Sequence, residues 1–361
     1  MMEVVRMRRK AIMVSVVCSI VLSLTVVGGF AQSQQDAIHI IPEFVFENGA
    51  KLQNMKVGYN TYGQLNSARD NAVLVTHATN GIRKSFDRYI GSGKAFDTNK
   101  YFVIAIDAIG AGLSSGPADG MGMSFPRYTI RDMVNAQYDL VKNGLKLNGL
   151  LAVGGPSMGS FQALEWGIHY PDFVKGLICI VPGAKASKNF HAIVDAMIAT
   201  VQLDPAWQGG QYSKNPVDGL KRAGMIFVTW LRSDAFFESL KSKEEYEAAL
   251  IFFGNAYATW DARNWMYRYF ASRDHDVSKP FSGNMTEALG RIKAKALIMP
   301  SISDRLIPPS AAQELKRGIK SSIYVEIPSI LGHLAYFPAG DDSPEYAFVS
   351  IRISEFLASL R

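Results

Sequence analysis

The chain has 361 residues, 48% of them hydrophobic and 19% charged, which excludes a disordered polymer and leaves ample material for a core. Its two cysteines exclude a disulfide-stapled scaffold and a cysteine-rich zinc module. The net charge of +6 carries no nucleic-acid signal: residues 1–31 supply half of it, through Arg6, Arg8, Arg9 and Lys10 against Glu3, and no basic cluster remains beyond them.

The N-terminus sets a basic stretch, Met1–Lys10, before an uncharged apolar run, Ala11–Phe30. Gly29-Phe30-Ala31 then fits a small-x-small cleavage site. This pattern predicts a secretory signal peptide over 1–31, a mature chain starting at Gln32, a periplasmic or secreted location and no membrane attachment after cleavage. The competing reading is an uncleaved anchor, because Ala11–Phe30 has 20 residues and reaches the length of a membrane span. Bulky Val17 argues against lipid attachment at Cys18. Cys179, in the apolar run LICIV, reads as a buried structural thiol.

Strand-length apolar runs follow at 57–62, Ala72–Thr76, Tyr101–Asp107, Leu150–Val153, Leu177–Val181, Ala296–Met299 and Ile323–Ile327. Continuous rather than alternating runs predict a sheet covered on both faces. Helical patterns lie between them. Thr129-Ile-Arg-Asp132 is a capping box ahead of a helix that stops near Gly144, and Ser157–Tyr170 and Glu345–Leu360 are further helices. The alternation predicts an α/β fold with a mostly parallel sheet. From Ala184 to Arg291 the strand signal disappears and aromatic residues recur, which predicts a helical insertion. The organisation expected is therefore a signal (1–31), a first core part (32–183), an inserted lid (184–291) and a second core part (292–361).

Gly155-Pro-Ser157-Met-Gly159 is a G-x-S-x-G sequence between a strand and a helix, the setting of a nucleophile elbow. A serine hydroxyl needs an adjacent base, and the base needs an orienting acid. On this architecture the acid and then the histidine follow the serine in the chain. Asp304 and His333 each stand in a loop just past an expected strand, where open α/β sheets gather their sites. Ser157, Asp304 and His333 are thus the expected triad. The oxyanion donors expected are the backbone N–H groups of Met158, directly after the nucleophile, and Thr79, in the loop after Ala72–Thr76. His77 reads as a structural brace of that loop. No metal-ligand spacing and no cofactor motif is apparent; Asp274-His-Asp276 reads as a solvated loop.

These stretches resemble the homoserine O-acetyltransferase-like group of the α/β-hydrolase superfamily. The resemblance runs from about Leu65 to Pro338. It rests on His77-Ala-Thr-Asn-Gly81, Gly91–Thr98, Thr129–Met133, Gly155–Gly159, Gln162–Trp166, Asp204–Trp207 and Trp260-Asp-Ala262. It implies the serine elbow, an acid after the seventh strand, the terminal histidine, a helical lid and, commonly, a homodimer formed through that lid. Two departures stand out. Homoserine acetyltransferases proper place Asp directly after the catalytic histidine, where this chain has Leu334, and carry an Arg-Phe-Gly-Arg segment in the lid, whose pair of arginines the corresponding region, Leu231–Phe237 continuing as Glu-Ser-Leu-Lys, lacks. Recognition of a zwitterion weakens without its counter-charges.

The sequence therefore puts first an exported serine hydrolase acting on a small acyl ester. An O-acyltransferase of the homoserine type comes second, and a catalytically inactive binding protein third. Export favours hydrolysis, because coenzyme A thioesters are not expected outside the cytoplasm.

Overall fold

The computed structural model describes residues 36–361; the expected signal, with Cys18 and the cut before Gln32, lies outside the described residues. Eight strands form one sheet in the order β1-β2-β6-β3-β7-β8-β9-β10. β1 (Ala37–Val45) and β2 (Lys51–Tyr62) are an antiparallel pair, and β2 joins β6 (Phe102–Ile106) antiparallel. The rest is parallel: β3 (Ala72–Val75), β7 (Leu150–Pro156), β8 (Val174–Ile180), β9 (Lys295–Met299) and β10 (Ser322–Tyr324). β3 and β7 are buried at every position, as a sheet covered on both faces requires. A separate two-stranded pair joins β4 (Ile90–Gly91) to β5 (Phe96–Asp97).

The first helix, α1 (Ile130–Asp139), starts as its capping box predicts: Asp132 N–H donates to Thr129 Oγ1, and Thr129 N–H donates to Asp132 Oδ2. Helix α2 (Met158–His169) follows the serine. Between β8 and β9 lie six helices: α3 (Lys188–Gln202), α4 (Val217–Leu231), α5 (Asp234–Glu238), α6 (Lys243–Ala258), α7 (Ala262–Arg273) and α8 (Met285–Gly290). α9 (Pro309–Gly318) and α10 (Pro344–Ala358) complete the chain.

Four features differ from the sequence expectation. β1 was not foreseen: His39, Pro42 and Glu43 interrupt its apolar run, and the outward Ile38 and Ile40 stay exposed. α9 was also missed, a short amphipathic helix with few apolar positions. The late strand ends at Tyr324, with only Ile327 bridging to Ser301 beyond it. Finally, Asp274–Asp276 is not wholly solvated. Asp274 is exposed, but His275 is buried with its ring stacked on Phe161 of α2 at 4.3 Å.

The elbow depends on close backbone approach. A Cβ on Gly155 would lie 2.2 Å from Thr76 O, and one on Gly159 would lie 2.9 Å from Thr76 Oγ1. Thr76 Oγ1 sits between Gly154 O and Gly159 O, within hydrogen-bonding distance of both. Gly155→Ala should therefore destabilise the protein by at least about 2 kcal/mol and abolish activity, since backbone must move. Gly290→Ala, where a Cβ meets nothing within 4 Å, should leave the melting temperature unchanged. Thermal denaturation of the two variants makes the comparison.

Candidate active site

Ser157 occupies a backbone conformation, φ 55° and ψ −119°, that L residues rarely adopt. It is held there because Ser157 N–H donates to Ile180 O at the end of β8, while the turn closes through Ser160 and Phe161 onto Ser157 O. The strained turn lifts the hydroxyl off the sheet edge. His333 Nε2 lies 2.9 Å from Ser157 Oγ, and His333 Nδ1 lies 2.7 Å from Asp304 Oδ2. His333 and Asp304 are both buried. Asp304 Oδ1 accepts from the N–H groups of Leu306 and Ile307 at 2.9 and 3.0 Å. A carboxylate so placed only accepts, so Nδ1 carries the imidazole proton and Nε2 offers its lone pair to the serine hydroxyl. Asp304 follows β9, the seventh strand of the main sheet in chain order, and His333 lies in a short helical turn, Gly332–Tyr336.

Thr79 lies on the loop after β3, and Met158 is the first residue of α2, directly after Ser157. Among the described residues, no backbone hydrogen bond engages the N–H of either. Each N–H shares its peptide with a carbonyl that is already an acceptor. Ala78 O takes His77 Nδ1–H and Gly81 N–H, and Ser157 O takes Ser160 N–H, Ser160 Oγ–H and Phe161 N–H. Such chains polarise the peptide and strengthen its free donor. His77 is the brace expected: Nδ1 donates to Ala78 O at 2.7 Å, and Nε2 accepts from Ala108 N–H at 3.0 Å. The acceptor role of Nε2 requires the neutral ring, and burial brings its pKa down to about 4.

Sequence reasoning missed two arginines. Arg268, on α7, is fully buried and donates through Nη1 to Thr79 O and Gly81 O. Arg232, after α4, stacks over Phe236 at 4.5 Å and points Nη1 toward Leu331 O, while its Nε has no partner. Burial lowers its pKa to about 10, with Tyr336 opposing. The signal available was an arginine within an aromatic run, as in Trp265-Met-Tyr-Arg268-Tyr269, which marks a cation with no room in solvent. Leu334, directly after His333, is buried and brings no carboxylate to the site. Among the described residues no group of three His, Cys, Asp or Glu could hold a metal, and no helix is long and apolar enough to cross a membrane. Cys179 is buried and free, its thiol pushed up to about 12 by desolvation.

A family model described as alpha/beta hydrolase fold matches residues 71–339. The homoserine O-acetyltransferase of Carboxydothermus hydrogenoformans is 35% identical over 339 residues, covering 82% of this chain and 89% of the relative. Among solved structures, an acetylester hydrolase from Corynebacterium glutamicum superposes with a TM-score of 0.84 at 29% identity, covering 90% of this chain and 96% of that one. A homoserine O-acetyltransferase from Bacillus anthracis superposes with a TM-score of 0.81 at 27% identity, covering 90% and 97%.

The buried imidazoles set an acid limit. His77 and His275 are both held near 4, below the ordinary 6.5, chiefly by desolvation. The unfolded chain binds their protons first, so their stabilising contribution is complete above 6.5 and is lost as the pH falls toward 4. Asp132, pushed up to about 6 by burial, works in the opposite sense over the lower part of that window. His275→Phe keeps a ring against Phe161 and removes one titration. Relative to the parent, its stability should lose about 1.4 kcal/mol less per pH unit between 6.5 and 4, read by chemical denaturation across that range.

Proposed function

This chain belongs to the α/β-hydrolase fold family and, within it, to the homoserine O-acetyltransferase-like group, and from that premise we propose that Ser157 takes an acyl group from a small ester-type donor and passes it to a hydroxyl acceptor. Enzymes of acyl transfer and ester hydrolysis make up its relatives, and it is an enzyme of that class. The observation that carries the reading is the hydrogen-bonded chain from Asp304 through His333 to Ser157, set beside two unengaged backbone N–H groups.

In the first half-reaction Ser157 Oγ attacks the donor carbonyl while His333 Nε2 takes its proton. The tetrahedral oxyanion is met by the N–H groups of Met158 and Thr79. Collapse breaks the bond to the leaving group, which receives the proton from His333, and leaves acyl-Ser157. In the second half the acceptor hydroxyl gives its proton to His333, attacks the acyl carbon and releases Ser157 with that proton returned.

Curated relatives at 30–35% identity, all homoserine O-acetyltransferases, favour transfer over the hydrolysis that the sequence put first. Hydrolysis, with water in place of the acceptor, is kept as the second reading by two observations. The acetylester hydrolase superposes at least as well as the acetyltransferase, and Leu334 leaves no carboxylate to meet an acceptor's amine. The half-buried guanidinium of Arg232, unpartnered at Nε, supports an acceptor or acyl group that bears an anion. Two further proposals concern the rest of the chain. Residues 1–31 direct export, and the exposed apolar face carrying Ile226, Tyr246, Ile251 and Phe252 pairs with a second copy. Protein recovered from a periplasmic fraction should start near Gln32 by N-terminal sequencing and show twice the mature chain's mass by light scattering. An intact Met1 would refute the first proposal, and a monomer the second.

The acyl-enzyme is tested by fluorophosphonate labelling and by turnover of acetyl esters with hydroxyl acceptors, with and without a carboxylate. Ser157→Ala should abolish labelling. In Asp304→Asn the amide oxygen must face Leu306 and Ile307, so its NH2 faces His333 Nδ1 and enforces the wrong tautomer. The expected loss in kcat is on the order of 10⁴. Asp172→Asn, at an exposed surface ion pair with Lys293, should retain full activity. Acceptor-dependent turnover supports transfer; an acceptor-independent rate places water as the acceptor.

A further inference from the structure

The loop His77–Gly81 is held from two sides. Its first half is tied to the sheet: Thr76 to the elbow, and His77 to Ala108 N–H. Its second half is tied to one face of the lid helix α7, at three consecutive residues. Arg268 Nη1 donates to Thr79 O at 2.6 Å and to Gly81 O at 3.2 Å. Asn80 Nδ2 donates to the Tyr269 hydroxyl at 2.9 Å, and that hydroxyl meets Tyr257 OH at 2.7 Å. Thr79 Oγ1 lies 3.2 Å from Ser272 Oγ.

Arg268 is the unusual member. It is 0% exposed, its guanidinium stacks on Trp260 at 4.1 Å, and among the described residues no carboxylate lies within ion-pair distance of it. Nη2 has no partner at all. An isolated buried cation is a costly arrangement, and a neutral side chain would pack here without that cost. What the guanidinium supplies is a charged NH2, Nη1, that bridges two carbonyls while the planar group is held flat against Trp260, together with a positive charge beside the loop.

We propose that Arg268 is a positioning residue: by bridging Thr79 O and Gly81 O from the lid, it anchors the peptides that follow Thr79 and Gly81, so that the preceding Ala78–Thr79 peptide, held at Ala78 O by His77 and Gly81, keeps Thr79 N–H aimed at the developing oxyanion. The inference rests on the reading of Thr79 as an oxyanion donor. It makes the oxyanion site complete only while α7 is seated on the core, so closure of the lid and readiness for chemistry become one event. Charge at Arg268 also favours the anionic transition state over the neutral ester.

The test uses the full chain with p-nitrophenyl acetate and an aryl trifluoromethyl ketone, which forms a hemiketal oxyanion on the serine. Arg268→Met should lower kcat about 100-fold, the scale of losing one oxyanion donor, with KM changed less than threefold. The ketone's inhibition constant should rise by the same factor as kcat/KM falls, a correlation that a merely structural role would not produce. Arg268→Lys keeps charge but not the planar group seated on Trp260 that places Nη1 between the two carbonyls, and should recover no more than a tenth of the parent rate. If Arg268→Met fails to fold, Ser272→Ala, which frees Thr79 Oγ1, should lower kcat several-fold with the same ketone correlation. Retention of kcat within threefold in Arg268→Met, or parent activity in Arg268→Lys, overturns the clamp. Persistent labelling in Ser157→Ala would instead overturn the nucleophile, so the two failures are told apart.

Discussion

Everything at the site hangs on how closely the end of β3 approaches the turn after β7. Thr76 lies against that turn so tightly that neither Gly155 nor Gly159 has room for a Cβ beside it. The contact fixes two things at once. It holds the elbow in which Ser157 keeps its rare backbone conformation, and it sets where the loop starting at His77 leaves the sheet. Ser157 and the loop that carries Thr79 are therefore positioned from one joint rather than from two independent ones. A shift at Thr76 would move both together, which preserves their mutual geometry against small motions of the sheet.

The second organising feature is positive charge without a matching anion. Arg268 lies on the inserted helix α7 and is fully buried, Arg232 directly follows the inserted helix α4 and is half-buried, and neither has a carboxylate partner at ion-pair distance among the described residues. By contrast Arg83, also buried, is paired with Asp107 at 2.7 Å and reads as ordinary structure. Burial lowers the pKa of the first two and the ion pair raises that of the third, despite the desolvation each suffers. Unmatched cations near a serine nucleophile favour states in which negative charge develops there. On the reading proposed here, the inserted helices are more than a cover, because their arginines supply field and positioning that the sheet alone lacks.

The parallel strands and the elbow were legible because their signals are local and dense. A fully buried strand is a continuous apolar run, and G-x-S-x-G between a strand and a helix has few alternative meanings. Asp304 and His333 were legible only through chain order and their placement after strands, and the structure brings both to Ser157. β1 was not legible, since an edge strand with one wet face breaks the apolar run. Arg268 and Arg232 were not legible either. The aromatic run around Arg268 marks burial but does not tell which groups its guanidinium meets; only the packing of Trp260, Phe236 and the loop carbonyls does so. His275 misled for the converse reason, as two flanking aspartates suggested solvent while its ring lay flat on Phe161.

That division explains why the attacking group in the second half-reaction is the hardest property to read. Serine, histidine and aspartate perform the same proton transfers whether water or an alcohol attacks the acyl carbon. Selection depends on competition with water at about 55 M, and a well-oriented bound acceptor offers an effective concentration of roughly 10⁵ M or more. Even weak acceptor binding in the right pose is then enough for transfer to win, while a displacement of about 1 Å hands the reaction to water. The groups able to set that pose lie around His333 and Arg232, where Gly332 packs so closely on Leu231–Ser233 that a Cβ would meet Leu231 O at 2.6 Å. The Leu231–Ser233 and His333 segments, packed on one another here, are thus where this chain would set the choice between water and an alcohol acceptor. Leu334 and Arg232 are the residues of this chain that stand there.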